Sequence, residues 1–277
     1  MLRNILIQQI KEKQSYLCVG LDTDITKIPK HLQQNKNAIV DFNKAIIDAT
    51  KDYCVSYKIN TAFYEALGSK GWEAMEETVN YIPATHFKIA DAKRGDIGNT
   101  SSQYAKAFFE TLKFDAITVA PYMGDDSIRP FLEYENKWTI VLGLTSNKGA
   151  KDFEMQRVVT PENKDGVFLY EKVLETVSKW GTPKNLMFVT GATQASELEN
   201  IRKIIPENFL LVPGVGFQGG SLAEVSKYGM TKDCGLLVNA SRAIIYASNN
   251  ENFADEAATI AQQYHEEMKG YLTLRDS

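Results

Sequence analysis

Three charged residues in one short stretch carry the strongest chemical signal in this sequence. Asp91, Lys93 and Asp96 lie in His86–Thr100, HFKIADAKRGDIGNT. The run His86–Ala90 reads as a short buried strand, so the charges fall at its end. On an extended chain residues i and i+2 point the same way, which puts Asp91 and Lys93 on one face. Asp96 lies beyond the Gly95 turn and faces elsewhere unless the loop folds back. A lone Asp/Lys cluster is most often a solvated surface. Burying such charges is costly unless they are paired. A carboxylate and an ammonium at the mouth of a sheet are also what acid–base chemistry or electrostatic stabilisation of a developing charge requires.

Other polar residues recur at the ends of apolar runs. Asp22 follows Tyr16–Leu21, and Lys58 follows Val55–Tyr57. Ser146 follows Trp138–Leu144, and Arg242 follows Gly235–Val238. The run Phe209–Val212 leads through Pro213 into Gly214-Val215-Gly216-Phe217-Gln218-Gly219, a match to G-x-G-x-x-G. That pattern fits a dinucleotide fingerprint only when it closes the first strand of a βαβ unit. Here it closes the seventh. A phosphate site fits better, because α/β barrels commonly bind phosphate on the loops after strands seven and eight. In that reading glycine-freed backbone N–H groups approach the anion and Arg242 grips it bidentately.

The elements that must position these residues are legible as alternation. Ala116–Ala120 and Leu186–Val189 complete a set of eight apolar strands. Helical spacing marks 2–14, 41–53, 60–67, 72–82, 100–112, 127–134, 167–180, 196–204 and 222–228, with further helix toward the end of the chain. Strands alternating with helices imply parallel β-α units. The expected fold is a single (β/α)8 TIM barrel over residues 1–277, with a doubly wound open sheet as the alternative. The 2–14 helix would plug one end, and a polar tail would begin near residue 271. The long polar stretch from Ser146 to about Asp165 reads as a loop, and such loops are often functional lids.

Composition narrows the function classes. A chain of 277 residues suits an α/β barrel of about 250, and 44% hydrophobic residues supply a core. A net charge of -4 argues against a nucleic-acid partner bound through bulk charge. Cys18, Cys54 and Cys234 have no metal-like spacing and suit a reducing compartment. His31, His86 and His265 have no partner spacing and read as structural. No run approaches the length of a membrane span, and the N-terminus lacks a signal-peptide cleavage pattern. The chain reads as a cytoplasmic protein with no membrane or nucleic-acid partner.

The stretch Asp91-Ala92-Lys93-Arg94-Gly95-Asp96-Ile97-Gly98 resembles the D-x-K-x-x-D-I signature of the orotidine 5′-phosphate decarboxylases. Further matches, in order, are Gly20-Leu21-Asp22, Tyr57-Lys58, Ala62-Phe63-Tyr64-Glu65, Thr145-Ser146-Asn147, Pro213-Gly214-Val215-Gly216 and Ser241-Arg242. The resemblance covers about Gly20 to Arg242, and the chain length and long fifth loop are similar to the longer bacterial branch. Asn60 and Lys148 depart from the pattern, each standing where proline is common.

The resemblance implies decarboxylation of orotidine 5′-monophosphate to uridine 5′-monophosphate, the last step of de novo pyrimidine nucleotide synthesis, without a cofactor or metal. Lys93 would stabilise charge at C6 and then protonate it. Asp91 would sit near the departing carboxylate, with Lys58 paired to it. Asp22 and Lys58 would bind ribose hydroxyls, Ser146 the pyrimidine, and Gln218 and Arg242 the phosphate, with Pro213 among the substrate contacts. Asp96, Ile97 and Thr100 would complete the neighbouring subunit's site in a homodimer.

Three rivals remain. A Mg2+-dependent barrel enzyme acting on a sugar phosphate shares D-x-K-x-x-D but adds an acidic ligand just before it, where this chain has Ile89 and Ala90. A non-catalytic nucleotide-binding module would lack the lysine or a carboxylate. Schiff-base chemistry at Lys93 or Lys58 would leave an adduct that borohydride traps.

Overall fold

A computed structural model describes residues 1–161, 163–216 and 219–276. The strands are β1 (Leu17–Gly20), β2 (Ser56–Asn60), β3 (Phe87–Arg94), β4 (Ala116–Val119), β5 (Trp138–Leu144), β6 (Arg157–Thr160), β7 (Asn163–Phe168), β8 (Leu186–Thr190), β9 (Phe209–Pro213) and β10 (Leu236–Ala240). The first helices are α1 (Arg3–Lys13), α2 (Lys30–Gln33), α3 (Ala38–Thr50), α4 (Ala62–Glu65), α5 (Ser69–Tyr81) and α6 (Gly98–Lys106). They are followed by α7 (Asp125–Leu132), α8 (Leu169–Val177), α9 (Ala195–Ile204), α10 (Leu222–Gly229), α11 (Arg242–Ile245) and α12 (Phe253–Asp276).

Eight strands close into a barrel in the order β1-β10-β9-β8-β5-β4-β3-β2, and β6 and β7 form a separate hairpin. The expected TIM barrel is the observed fold. Its strands read as nearly continuous apolar runs because both faces of a parallel sheet are covered. Leu17, Cys18 and Val19 of β1 and Leu236, Leu237 and Val238 of β10 are all buried.

The chain divides into two compact units. One comprises residues 1–92, 106–117 and 238–277, and the other residues 93–105 and 118–237. In the first, β1 pairs in parallel with both β10 and β2, and β2 pairs with β3. Helix α3 turns Phe42, Ile46 and Ile47 inward, and Phe42 stacks on Phe253 of α12 with ring centroids 5.2 Å apart. Leu6 and Ile10 of α1 are buried, and Lys13 at its end donates to the Cys54 carbonyl, just ahead of β2. In the second unit β8 lies between β5 and β9. Ser221 caps α10 by accepting the Glu224 N–H, and Glu171 accepts the Phe168 N–H at the start of α8.

Four expectations need correction. Strand β3 runs on to Arg94 instead of stopping at Ala90, because ladder pairing continues to Asn60↔Asp91 and the Ala120 N–H donates to the Arg94 carbonyl. The 60–67 helix shrinks to α4, and Gly68 at φ 63° separates it from α5. The polar stretch after Ser146 is not structureless. It holds a short 3-10 turn, Lys148–Asp152, and the β6-β7 hairpin. Arg157 fastens that hairpin by donating to the Asp165 and Gly166 carbonyls, with its guanidinium 4.8 Å from the Phe168 ring centroid. Finally, α12 continues through Asp276, so the polar residues after 271 belong to a helix.

Candidate active site

A largely buried three-residue charge cluster forms where Asp22, just past β1, meets Lys58 within β2 and Asp91 within β3. Lys58 Nζ lies 3.2 Å from Asp22 Oδ1 and 3.0 Å from Asp91 Oδ2. Only 4% of the Lys58 side chain is exposed, against 17% for Asp22 and 13% for Asp91. Burial alone would lower the Lys58 pKa. The facing Asp22 and Asp91 carboxylates outweigh it and raise the pKa above the ordinary lysine value, so the cluster holds an ammonium. Strand pairing brings the three together, since Gly20 sits beside Lys58 and Asn60 beside Asp91. The Asn60 N–H donates to Asp22 Oδ1 at 3.3 Å, and the Thr61 N–H to the Asp91 carbonyl at 3.3 Å.

Gly20 permits this arrangement. A Cβ there would collide with Ser241 Oγ and come within 2.8 Å of Ser241 Cβ. Any larger residue would push β1 away from the chain that leads into Arg242. Arg242 itself is the first residue of α11.

Two residues after Asp91, Lys93 adopts φ 46°, in the left-handed region that non-glycine residues rarely occupy. The i, i+2 face rule therefore does not carry across it, and a shared face with Asp91 does not follow from extended geometry. The Thr118 hydroxyl accepts the Lys93 N–H at 2.9 Å. Such backbone outliers concentrate at functional positions, where the surroundings over-determine them. Thr118 is fully buried and escaped the sequence reading, because a threonine within an apolar strand looks like any β-former.

Asp96 turns toward its own loop, accepting the Ile97 N–H at 2.8 Å. Ile97 is 60% exposed, and Thr100 is exposed in the first turns of α6. Ser146 follows β5, where Glu154 accepts both the Thr145 N–H at 2.7 Å and the Thr145 hydroxyl. Glu154, a second residue the sequence reading missed, thus anchors the segment leading into Ser146. Pro213 ends β9. Gln218 and Phe217 lie outside the described residues. The adjacent glycine loop uses φ 95° at Gly214 and φ 76° at Gly216, as a glycine-dependent turn requires. Three of its N–H groups are turned inward, with Gly216 donating to Gly220, Gly219 to Gly216 and Gly220 to Gly214. Those three N–H groups are thus engaged within the loop. Among the described residues, no group of three or more His, Cys, Asp or Glu is arranged to hold a metal ion.

The family model described as "Orotidine 5'-phosphate decarboxylase / HUMPS family" matches residues 15–260. The chain is 59% identical over 270 residues to an orotidine 5′-phosphate decarboxylase of Christiangramia forsetii, covering 96% of this chain and 97% of that one. The chain belongs to the orotidine 5′-phosphate decarboxylase family. Among solved structures, a putative orotidine-monophosphate-decarboxylase from Toxoplasma gondii superposes with a TM-score of 0.84 at 33% identity, covering 98% of this chain and 97% of the other. Leishmania donovani UMP synthase matches with a TM-score of 0.81 at 37% identity, and the chain spans 95% of its own length but 56% of that protein's. The decarboxylase signature is therefore carried by a barrel of the same architecture, and Asp91, Lys93 and Asp96 stand at the motif's charged positions. No described helix is long and apolar enough to cross a membrane.

Proposed function

We propose that this chain decarboxylates orotidine 5′-monophosphate to uridine 5′-monophosphate and CO2, completing pyrimidine nucleotide synthesis. The observation that carries the reading is the buried Asp22–Lys58–Asp91 cluster, with Lys93 two residues along the same strand, in a chain 59% identical to a named orotidine 5′-phosphate decarboxylase. The C6–carboxylate bond breaks and its electron pair stays on C6 as a vinyl-type carbanion. The Lys93 ammonium faces that charge and then transfers a proton to C6, after which water reprotonates the amine. An ammonium suits both tasks, electrostatic stabilisation and general-acid catalysis. Asp91 lies near the departing carboxylate. Lys58, held charged by its two partners, balances Asp22 and Asp91 and shares ribose binding with Asp22.

Arg242 grips the phosphate from the start of α11, together with Gln218. Ser146 meets the pyrimidine, and Pro213 lines the substrate. Binding at the remote phosphate lowers the chemical barrier only through interactions strengthened in the transition state. Asp96, Ile97 and Thr100 serve the neighbouring subunit of a homodimer. That reading is supported by the exposure of Ile97 (60%), Tyr122 (94%) and Met123 (44%), and by Asp96 turning into its own loop. The three buried cysteines suit a reducing cytoplasm.

The test is Lys93→Ala. Turnover of orotidine 5′-monophosphate should vanish while binding of uridine 5′-monophosphate stays measurable. Turnover within tenfold of the parent, about 1.4 kcal/mol in barrier, removes Lys93 from the chemistry.

A further inference from the structure

Tyr246 stands outside the charge cluster yet touches its frame. It caps α11, donating its N–H to the Arg242 carbonyl at 3.2 Å. Its hydroxyl reaches the segment after β1, where it donates to the Asp22 carbonyl at 3.0 Å and accepts the Asp24 N–H at 2.7 Å. The ring stacks on Phe42, with centroids 6.2 Å apart and planes 22° apart. On the other side of Asp22, the Tyr64 hydroxyl donates to the Leu21 carbonyl at 2.9 Å. Asn43 donates to that hydroxyl and accepts from Thr23 at 2.6 Å. The buried Tyr64 hydroxyl and the half-buried Tyr246 hydroxyl therefore hold the carbonyls immediately before and at Asp22. Burial raises the Tyr246 hydroxyl to about 12, so it remains a donor at neutral pH.

We infer that Tyr246 is a positioning residue, which fixes the Asp22 carboxylate against Lys58 and in register with the helix that begins at Arg242. The inference rests on the nucleotide site proposed above. Asp22 reaches Lys58 through a single 3.2 Å contact, so a small shift of its backbone breaks that contact. The hydroxyl of Tyr246 satisfies one donor and one acceptor of a turn that solvent could otherwise hydrate. Its removal leaves the fold's apolar packing in place and frees the turn.

A double-mutant cycle of Tyr246→Phe with Asp22→Ala tests this. It is read in the dissociation constant for uridine 5′-monophosphate, which needs no turnover, and in kcat/KM for orotidine 5′-monophosphate. Tyr246→Phe alone should weaken both by between roughly tenfold and a hundredfold, as small misplacements at a site do. In the Asp22→Ala background the same change should cost less than about threefold. A merely structural tyrosine would cost the same factor in both backgrounds, and that result overturns the inference. So does a Tyr246→Phe protein within about threefold of the parent, or one that does not fold, which makes the hydroxyl a folding determinant. A parent that binds uridine 5′-monophosphate but leaves orotidine 5′-monophosphate unchanged contradicts the decarboxylase reading alone, with the cycle still readable in binding.

Discussion

Lys58 Nζ and Asp91 Oδ2 lie 3.0 Å apart in a pocket that exposes 4% of the lysine and 13% of the aspartate side chain. The pair joins β2 to β3, and Asp22 adds a second carboxylate to the same ammonium. Such a cluster is stable only as a unit. Lys58→Met removes the cation and leaves two half-buried carboxylates without their counter-charge. Breaking a buried pair this way costs about 3–5 kcal/mol. Urea unfolding of Lys58→Met should show a loss of that size at neutral pH. A variant as stable as the parent at pH 7 would mean that the cluster is well hydrated.

His86 sits at the start of β3, and its Nε2 lies 2.8 Å from Lys13 Nζ at the end of α1. Burial, reinforced by the Lys13 ammonium, lowers its pKa to about 4. In the unfolded chain the ring titrates near 6.5. Between those values the unfolded state binds the extra proton, so the stability contributed by neutral His86 is whole above pH 6.5 and lost as pH falls toward 4. Below that no more is lost, because both states are protonated. His86→Gln should flatten the stability–pH curve in that window, as measured by Tm from pH 7 to pH 4. An unchanged slope would show that His86 does not titrate there.

Much of this architecture was legible from residue patterns. The eight apolar strands and the placement of Asp22 and Ser146 just past theirs follow from alternation and from the logic of parallel sheets, whereas Lys58 and Asp91, expected at strand ends, sit within β2 and β3. What could not be read is where backbone geometry departs from the repeat. The left-handed turn at Lys93 is invisible because any lysine reads alike, and it invalidates an orientation argument that assumed extended chain. The β6-β7 hairpin hides in a polar stretch because Arg157 and Gly166, not an apolar face, hold it together. Tyr246 and Thr118 act through hydrogen bonds to residues 224 and 25 positions away, and no local pattern marks such partners.

The shared-site reading predicts rescue between two inactive proteins. Lys93→Ala and Asp96→Ala should each be nearly inactive alone. After demonstrated subunit exchange, half the dimers are hybrids with one intact site each, so activity should recover to roughly a quarter of the parent's. A site built within one chain gives no recovery, because every site still carries one lesion. That result would return Asp96 to its own subunit and leave Lys93's assignment untouched.

The most direct measurement is the conversion of orotidine 5′-monophosphate by the purified chain in excess EDTA, followed by absorbance and by product analysis. The decarboxylase reading predicts uridine 5′-monophosphate and CO2 in equal amounts, at a rate that chelation leaves unchanged. No conversion, or conversion that returns only on adding Mg2+, would contradict it and favour a metal-dependent relative of the same barrel.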